Sequence, residues 1–552
     1  MPIFKEKDVI NIDMNFFNLP KYTLLLIVLL LIASSAFSQT SLNIQNPVKR
    51  TDFNLSLEDG ITLDCSKFSP QTTLPEGIPA VIFLHGFGGS KNDVIPFAEN
   101  LAKYGYYTFT YSMRGQGSST GLSNLISTTE MNDLLQVIDF VKSEQGINKD
   151  KIGLTGSSQG GILSFMAASN GADVKCIVAD LASPEFASNW IENGCVKMTL
   201  FWSLNYDSTI VRYSDEAKNF KRWILSNKKD KWDSLAYYLP KDRDFTSQLE
   251  NMNVPMLASN SWQDKFFNTY GMIKASGLIT APYKMYYGTI GGHGSDTTYE
   301  ETSYHSKIIE NWLDWYLYGV NNGIQNSWKF AYTTSSHPIV FNHWTYSRSY
   351  SDYWPPEGVE NLKLYFSPGN RLSGEPHREK TDTVSFLNDV RDKNLKMKYV
   401  VKSGFTGEEF NSGFVKTLMY FETEPLNNNI LLAGTPMLNL IYSSTANICQ
   451  YNFQIWEVKP NGEMNFVTRI NFTDRQYRKN FVKQQLIYGI SHSHMFQKGY
   501  RIRIYVTNID NGPADNFLGT NPHVLPVLKR ARNYIFMGKE SPSYIELPVI
   551  YK

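Results

Sequence analysis

Short apolar runs alternate with helical patterns over roughly the first third of the chain after residue 50. AVIFL, YYTFTY, KIGLT and VKCIVAD are continuous apolar runs of strand length, as expected for buried parallel strands. The stretches between them place apolar residues at helical spacing, and two of these stretches end at Gly105 and Gly146, which are good helix stops. This β-α-β-α-β-α-β pattern predicts an α/β fold with a parallel sheet.

The pattern changes twice further along. Over about 186–250 the periodicity loosens and tryptophans lie among charged stretches such as NKKDKWD, which we interpret as a helical cap inserted above the sheet. A surface insertion with structural aromatics is the alternative. From 326 on, strand patterns separated by the turns SPGN, KPNG and NIDNGP predict a β-sandwich. We therefore expect an α/β domain over 39–325 and a β-sandwich over 326–552.

Two Gly-x-Ser-x-Gly strings are present, GSSTG at 117–121 and GSSQG at 156–160. This pattern can place a serine on a sharp strand-to-helix turn, where its oxygen is exposed at the edge of the sheet. The second string lies directly between the strand KIGLT and the helix GILSFMAA, whereas LSNLIS separates the first from its helix. The context predicts Ser158 as a nucleophile and Ser119 as part of an ordinary loop.

A serine hydroxyl needs a base to remove its proton and an acid to orient that base. In this type of fold the chain order is serine, acid, histidine, each after a strand. Asp264 follows the apolar run VPMLAS, and His293 follows YKMYYG in a glycine-rich loop. We predict these two residues as the acid and the base. The alternative for Asp264 is a residue that only stabilises its own turn.

The developing negative charge on a substrate carbonyl oxygen requires N–H donors. LHGFGG follows the first predicted core strand and resembles the loops that supply one such donor. We expect the backbone N–H groups of Phe87 and Gln159 to form this oxyanion hole. A simple glycine turn is the alternative for LHGFGG.

The N-terminus reads as a signal peptide over 1–38. Lys21 precedes an apolar run over 24–32 and small residues ending at Ser38, with Met14 as an alternative start. The run is short for a membrane span, although a permanent N-terminal anchor is the alternative. The sequence therefore predicts an exported protein, periplasmic or secreted.

Charge and metal-ligand types narrow the function classes. Lys and Arg total 53 and Asp and Glu total 52, which gives no electrostatic reason to expect a nucleic-acid partner.

The four cysteines have no metal-binding spacing. Buried thiols are the expectation, and a Cys176–Cys195 bridge is the alternative. His492 and His494 lack a ligand at partner spacing, so we predict no metal site.

At this point the strings LEDGITLDCSKFSP, HGFGGSKND, YSMRGQGSSTG, DKIGLTGSSQGG, NSWQDKFF and IIENWLDWYLYG resemble the α/β-hydrolase domain of the X-Pro dipeptidyl-peptidase and cocaine-esterase group. The later strings YWPPEGVENLKLYFSPGNRLS, FETEPLNNNILLAGTPMLNL, WEVKPNGE and SHSHMFQKGYRIRIYVTN resemble that group's C-terminal jelly roll. The resemblance covers nearly all of the chain after the leader. It implies a serine hydrolase with Ser158 as nucleophile, Asp264 as orienting acid and His293 as base, and no cofactor.

The resemblance leaves the substrate open. Many members carry a tyrosine after their first core strand, where this chain has HGFGG, so the implied oxyanion hole is of the all-backbone kind. The substrate is a peptide or a small ester or amide, and the oligomeric state is open. A general acyl hydrolase without X-Pro specificity is the first alternative, and a non-catalytic glycan- or partner-binding protein is the second. Candidate pocket residues are Trp190, Trp202 and Trp262, and candidate acids for a substrate amine are Glu192, Asp207, Asp215 and Glu216.

Overall fold

The computed structural model describes residues 46–552 except 263, 294–296, 341–342, 393, 398–412 and 511–521. The predicted leader lies outside the described residues. Among the helices of the described part, none is long and apolar enough to cross a membrane.

The first half is built on one sheet with the strand order β1-β2-β4-β3-β5-β6-β7-β8-β9. From β4 to β9 all neighbours are parallel, and β1 and β2 join antiparallel at one edge. Its strands are β1 (Val48–Ser56), β2 (Thr62–Pro70), β3 (Ile78–Leu84), β4 (Tyr107–Tyr111), β5 (Ile147–Ser157), β6 (Cys176–Asp180), β7 (Met256–Ser261), β8 (Tyr283–Gly288) and β9 (Phe330–Val340).

Helices cover both faces of this sheet, as the buried apolar strands require. The second helix begins with a capping box, in which Ser127 and Glu130 satisfy each other's backbone N–H groups, so its start is encoded locally. The helices are α1 (Ile95–Lys103), α2 (Thr128–Ser143), α3 (Gln159–Ser169), α4 (Phe186–Trp190), α5 (Met198–Ser203), α6 (Asp215–Ser226), α7 (Lys229–Lys241), α8 (Thr269–Ser276) and α9 (Tyr299–Leu313), with 3₁₀ turns at Lys91–Asp93, Glu192–Gly194, Thr246–Asn251 and Ile324–Asn326 and a π turn at Asp314–Tyr318.

The second half is a β-sandwich around its own apolar core. One layer has the order β15-β22-β18-β19, and the other is formed by β11, β13, β16, β17, β20, β23 and β24. The strands are β10 (His343–Ser351), β11 (Glu360–Ser367), β12 (Arg371–Ser373), β13 (Asp382–Val390), β14 (Phe414–Val415), β15 (Leu418–Glu422), β16 (Ile430–Gly434), β17 (Met437–Ser444), β18 (Cys449–Val458), β19 (Met464–Asp474), β20 (Lys483–Tyr488), β21 (His492–Phe496), β22 (Arg501–Thr507), β23 (Ala531–Met537) and β24 (Tyr544–Tyr551).

Strand β9 connects the two halves physically. It pairs with β8 through Ala331 and with β21 through Ser335, both in parallel register. The Trp262 indole, which follows β7, donates a hydrogen bond to the Thr333 carbonyl oxygen (2.7 Å). Hydrogen bonding therefore continues from the first sheet into the sandwich.

The insertion between β6 and β7 contains α4 to α7, and the sandwich holds it from one side. Leu525 N–H donates to the Val196 carbonyl oxygen (2.8 Å), and Arg475 lies over the Trp232 ring at 3.7 Å from its centroid. The Asn193 side chain donates to the carbonyl oxygens of residues 471 and 488 in the sandwich (3.1 and 2.9 Å). The insertion is thus packed between the sheet and the second half of the chain.

Candidate active site

Ser158 occupies a compressed turn between β5 and α3. Its φ of 58° and ψ of −121° lie in a region that non-glycine residues rarely adopt. Ser158 N–H donates to the Asp180 carbonyl oxygen (2.9 Å), and the Ser158 carbonyl oxygen accepts from Ile162 N–H (2.9 Å). These two bonds hold the strained residue in place at the carboxyl edge of the sheet.

The glycines of this turn are required by space. A Cβ on Gly160 would overlap the Leu84 carbonyl oxygen of β3, and a Cβ on Gly161 would overlap that of Asp180 in β6. Helix α3 can therefore approach the two strands only because both positions lack a side chain. The motif is a packing requirement as well as a chemical one.

Asp264 and His293 meet Ser158 at this edge. The Ser158 Oγ lies 2.9 Å from His293 Nε2, and His293 Nδ1 lies 2.8 Å from Asp264 Oδ2. Because an ionised carboxylate only accepts hydrogen bonds, Nδ1–H donates to Asp264, which leaves Nε2 free to accept from the serine hydroxyl. The structure thus brings together the three residues that the sequence nominated.

The acid is fixed by its own loop. Asp264 is buried, and its Oδ1 accepts the N–H groups of Phe266 (2.7 Å) and Phe267 (2.9 Å). The rings of these two phenylalanines pack on the His293 imidazole, with centroids 4.5 and 5.5 Å away. The Asp264 carboxylate therefore contacts the histidine with one oxygen and stabilises its own turn with the other. The two interpretations of Asp264 from the sequence are compatible.

The predicted oxyanion loop passes beside the serine. A Cβ built on Gly86 would lie 3.9 Å from the Ser158 Cβ. His85 anchors this loop from below, since its Nε2 accepts Met113 N–H (2.9 Å) and its Nδ1–H donates to the Gly86 carbonyl oxygen (2.7 Å). Complete burial lowers the pKa of His85, which favours this neutral form. Among the described residues, the N–H groups of Phe87 and Gln159 have no protein acceptor.

The side chains of Gln116 and His85 hold the predicted oxyanion loop, and the sequence analysis did not identify either residue. The Gly88 N–H donates to Gln116 Oε1 (2.7 Å), and Gln116 Nε2–H donates to Gln159 Oε1 (3.1 Å). The available signal is the position of Gln116 immediately before GSSTG, which the sequence predicts to be a loop. Spacing alone does not indicate which side chain of that loop turns inward.

An aromatic wall stands beside His293, and we define it as Phe87, Trp202, Tyr206 and Phe266. Trp202 packs against Phe266 and Tyr206, with centroids 5.7 and 4.8 Å apart, and Phe87 packs against Tyr206 at 5.9 Å. Since the Phe266 ring also packs on His293, the wall begins at the predicted base. Trp202 is the one predicted pocket tryptophan that reaches this wall.

The other two predicted pocket tryptophans lie in the core. Trp190 is 1% exposed and packs against Phe186 and Phe267, behind the residue that contacts His293. Trp262 is 2% exposed and packs against Trp354, 5.3 Å between centroids, at the junction with the sandwich. Both rings support the site from behind because apolar neighbours distant in the sequence enclose them.

The four cap carboxylates nominated for a substrate amine all have partners. Glu192 is buried with Lys197 (3.2 Å), and Glu216 pairs with Arg243 (3.4 Å). Asp207 accepts from the Thr209 N–H and hydroxyl within its own turn, and Asp215 pairs with Lys218 at the exposed start of α6. Each of these groups is engaged in the cap's own structure.

The cysteines and the SHSH histidines lie away from this chemistry. All four cysteines are free and buried, and burial raises the pKa of Cys195 to about 12. His494 bonds to Ser335 (2.8 Å) and to Glu457 (3.2 Å), and burial lowers its pKa to about 3, so it is a neutral core residue. Within the described ranges, no group of three or more potential ligands could hold a metal ion.

Comparison with known proteins adds the family. Residues 59–289 match the X-Pro dipeptidyl-peptidase (S15 family), and residues 329–546 match the X-Pro dipeptidyl-peptidase C-terminal non-catalytic domain. A CocE/NonD family hydrolase from Staphylococcus aureus has the same fold, with a TM-score of 0.67 at 13% identity over 93% of this chain and 99% of that chain. An alpha-amino acid ester hydrolase is similar in fold, with a TM-score of 0.65 at 14% identity over 92% and 97%.

A curated relative is similar over part of the chain. An uncharacterized 31.7 kDa protein in the traX-finO intergenic region of Escherichia coli is 36% identical over 140 residues, which are 24% of this chain. The match spans 46% of that protein's length, less than half. The catalytic half and the sandwich half each match their counterpart, and the chain belongs to the X-Pro dipeptidyl-peptidase (S15) family of serine hydrolases.

Proposed function

We propose that the protein hydrolyses acyl compounds through a covalent intermediate on Ser158. The single observation that carries this proposal is the unbroken hydrogen-bonded chain from Asp264 through His293 to the strained serine. His293 Nε2 takes the hydroxyl proton while Oγ attacks the substrate carbonyl carbon. The resulting oxyanion accepts hydrogen bonds from the N–H groups of Phe87 and Gln159.

The second half of the cycle uses the same groups. Collapse of the tetrahedral intermediate breaks the bond to the leaving group, which receives the proton from His293. A water molecule then gives a proton to Nε2 and attacks the acyl carbon, and the second collapse returns the proton to Ser158 Oγ and releases the acid. Asp264 stays ionised and stabilises the imidazolium at each stage.

For the acyl group we propose a neutral, apolar or aromatic moiety. The aromatic wall contacts His293 through Phe266 and includes Phe87 of the predicted oxyanion loop, and its ring surface suits such a group. A free substrate amine would need a carboxylate to offset its desolvation. The four cap carboxylates nominated for that task are engaged elsewhere, which supports a general acyl hydrolase.

Dipeptide release from X-Pro peptides is the second candidate. It is favoured by the family match, which covers both the catalytic half and the C-terminal half. In that case an acid outside these four cap carboxylates receives the N-terminal amine of the substrate.

One comparison separates the two candidates. We would measure hydrolysis of alanyl-proline p-nitroanilide, its N-acetyl form and p-nitrophenyl butyrate by the chain without residues 1–38. We expect turnover of the ester, and similar rates on both anilides if either is cleaved. Cleavage of the free-amine anilide with loss on acetylation would establish the dipeptidyl activity instead, because acetylation removes the charge that a carboxylate binds. Ser158→Ala serves as the background for each substrate.

We also propose that the protein is exported. This rests on the basic, apolar and small-residue sequence that ends at Ser38. Fusion of residues 1–45 to a reporter that is active only outside the cytoplasm tests the proposal. Activity that disappears when charged residues interrupt the apolar run at 24–32 is the expected result, and an inactive intact fusion would contradict export.

A further inference from the structure

Gln116 lies between the two segments that supply the proposed oxyanion donors. Its side chain is completely buried and uses both ends of its amide. Oε1 accepts the Gly88 N–H at 2.7 Å, and Nε2–H donates to the Gln159 side-chain oxygen at 3.1 Å. One side chain therefore spans from the residue after Phe87 to Gln159 itself.

This arrangement constrains both donors. The Gly88 N–H belongs to the peptide unit that follows Phe87, so holding it limits the rotation that would swing the Phe87 N–H away from Ser158. Gln159 is the first residue of α3, and its side chain is held while its backbone N–H stays without a protein acceptor. The distance between the two donors thus depends on the length of one glutamine.

The polarity of the bridge is also determined. The Gly88 N–H can only donate, so it selects Oε1 of Gln116 and directs Nε2 toward Gln159. The bridge is neutral, and it therefore adds no negative charge next to the developing oxyanion. A carboxylate at the same position would repel that oxyanion.

The backbone of Gln116 is in turn attached to the cap. Gln116 forms an antiparallel bridge with Val211, and Arg212 N–H donates to the Gly115 carbonyl oxygen (2.8 Å). The Tyr206 ring of the same cap segment lies against Phe87 and over Gly88. The cap thus contacts the oxyanion loop both directly and through Gln116.

We propose that Gln116 is a positioning residue that sets the spacing of the two oxyanion donors and links it to the cap. The proposal rests on the proposed function of Ser158. It assigns a role in the reaction to the first Gly-x-Ser-x-Gly region, whose own serine takes no part in the chemistry. Gln116 acts through Phe87 and Gln159 without touching the substrate.

Gln116→Met tests the proposal, because methionine keeps the length and volume but neither hydrogen bond. The matched control is Gln136→Met, which removes a similar bond to the Glu58 N–H (2.9 Å) at the β1–β2 turn. With p-nitrophenyl butyrate we expect kcat to fall about 10- to 100-fold in Gln116→Met, less than for outright loss of a donor, with KM changed by less than about 3-fold. The control should keep wild-type kcat.

A second readout separates positioning from general damage. Replacing the ester carbonyl oxygen by sulfur weakens the hydrogen bonds in the oxyanion hole, so the wild-type enzyme should strongly prefer the ester over the thionoester. In Gln116→Met this rate ratio should shrink, because the donors are already displaced. The rate of labelling by a fluorophosphonate, whose phosphoryl oxygen occupies the same hole, should fall in parallel with kcat.

The outcomes are distinct. If Gln116→Met equals Gln136→Met in kcat and in the ester-to-thionoester ratio while Ser158→Ala is inactive, the inference is overturned and the proposed function stands. If Ser158→Ala retains wild-type activity, the proposed function itself fails. If Gln116→Met does not fold, Gln159→Met carries the test, since it removes the Gln159 end of the bridge and keeps both backbone donors. An unchanged kcat and ratio in that variant would overturn the proposal.

Discussion

The two Gly-x-Ser-x-Gly turns of this chain have the same sequence pattern and different environments. Ser158 is strained, accessible and bonded to His293. Ser119 is 1% exposed, donates to the Ser112 carbonyl oxygen and accepts the Asp64 N–H (2.9 Å), so its hydroxyl is consumed in holding a loop. The difference shows that the Gly-x-Ser-x-Gly pattern allows a sharp turn but does not by itself produce one. A strand immediately before it and a helix immediately after it turn the serine into a candidate nucleophile.

The two turns also support each other. His85 connects the loop beside Ser158 to Met113, just before the Ser119 turn, and Gln116 connects the Ser119 turn to Gly88 and Gln159. The Ser119 turn therefore helps to hold the Ser158 turn in place. The following predictions separate what each turn contributes.

The largest difference should come from the two serines. Ser158→Ala should lower kcat on p-nitrophenyl butyrate by about 10³-fold or more and abolish fluorophosphonate labelling, because the covalent bond cannot form. Ser119→Ala should keep labelling. Mass spectrometry of the labelled protein, with the adduct located on the peptide that contains Ser158, checks the assignment; an adduct on Ser119 would reverse it.

The next difference concerns the glycines. Gly160→Ala should destabilise the protein by roughly 3 kcal/mol and abolish activity, since the new methyl group overlaps backbone of β3 that cannot move aside. In the Ser119 turn, Gly121→Ala meets only the flexible Ile61 side chain at a φ of 81°, and it should cost about 1–2 kcal/mol with activity retained. Urea unfolding and ester turnover measure both; equal losses in the two variants would remove the distinction.

A smaller effect is expected for the stability of Ser119→Ala. The substitution removes an acceptor from Asp64 N–H and a donor from the Ser112 carbonyl oxygen, which should cost about 2 kcal/mol of unfolding free energy. Ser118→Ala, an exposed neighbour in the same turn, is the matched control and should be close to neutral. Indistinguishable urea midpoints for the two variants would mean that the turn at 117–121 does not depend on Ser119.

The smallest effect should be the pH dependence contributed by His85. Its pKa is lowered in the folded protein by burial, so its contribution is fully present above about pH 6.5, the unfolded value, and declines as the pH falls below it. His85→Gln removes this titratable group, so the proton that His85 binds on unfolding no longer affects the unfolding free energy. The loss of unfolding free energy between pH 7.5 and 5.5 should therefore be smaller in the variant than in the wild type, as measured by urea titration at both pH values. An identical loss would mean that His85 is not the group that titrates.

Much of the candidate site was predictable because parallel strands bring their carboxyl ends to one edge. Once the apolar runs identified β5, β7 and β8, the residues after them had to converge, and Ser158, Asp264 and His293 do. The position of the predicted oxyanion loop after β3 follows from the same rule. Local sequence also encodes helix starts such as the capping box at Ser127 and the glycines without which α3 could not approach the sheet.

Which side chains turn toward the site depends on contacts between segments that are distant in the sequence. The sequence nominates Trp190, Trp202 and Trp262 alike as pocket residues. In the structure Trp202 belongs to the aromatic wall, whereas Trp190 and Trp262 are enclosed by apolar residues. The hydrogen bonds between the sandwich and the cap, and those made by the Gln116 side chain, likewise join residues far apart in the chain. Hydrophobic periodicity predicts which side of a helix or strand is buried against the core. Contacts between elements depend on packing and on which buried polar groups need partners, and these are settled only when the whole chain is folded.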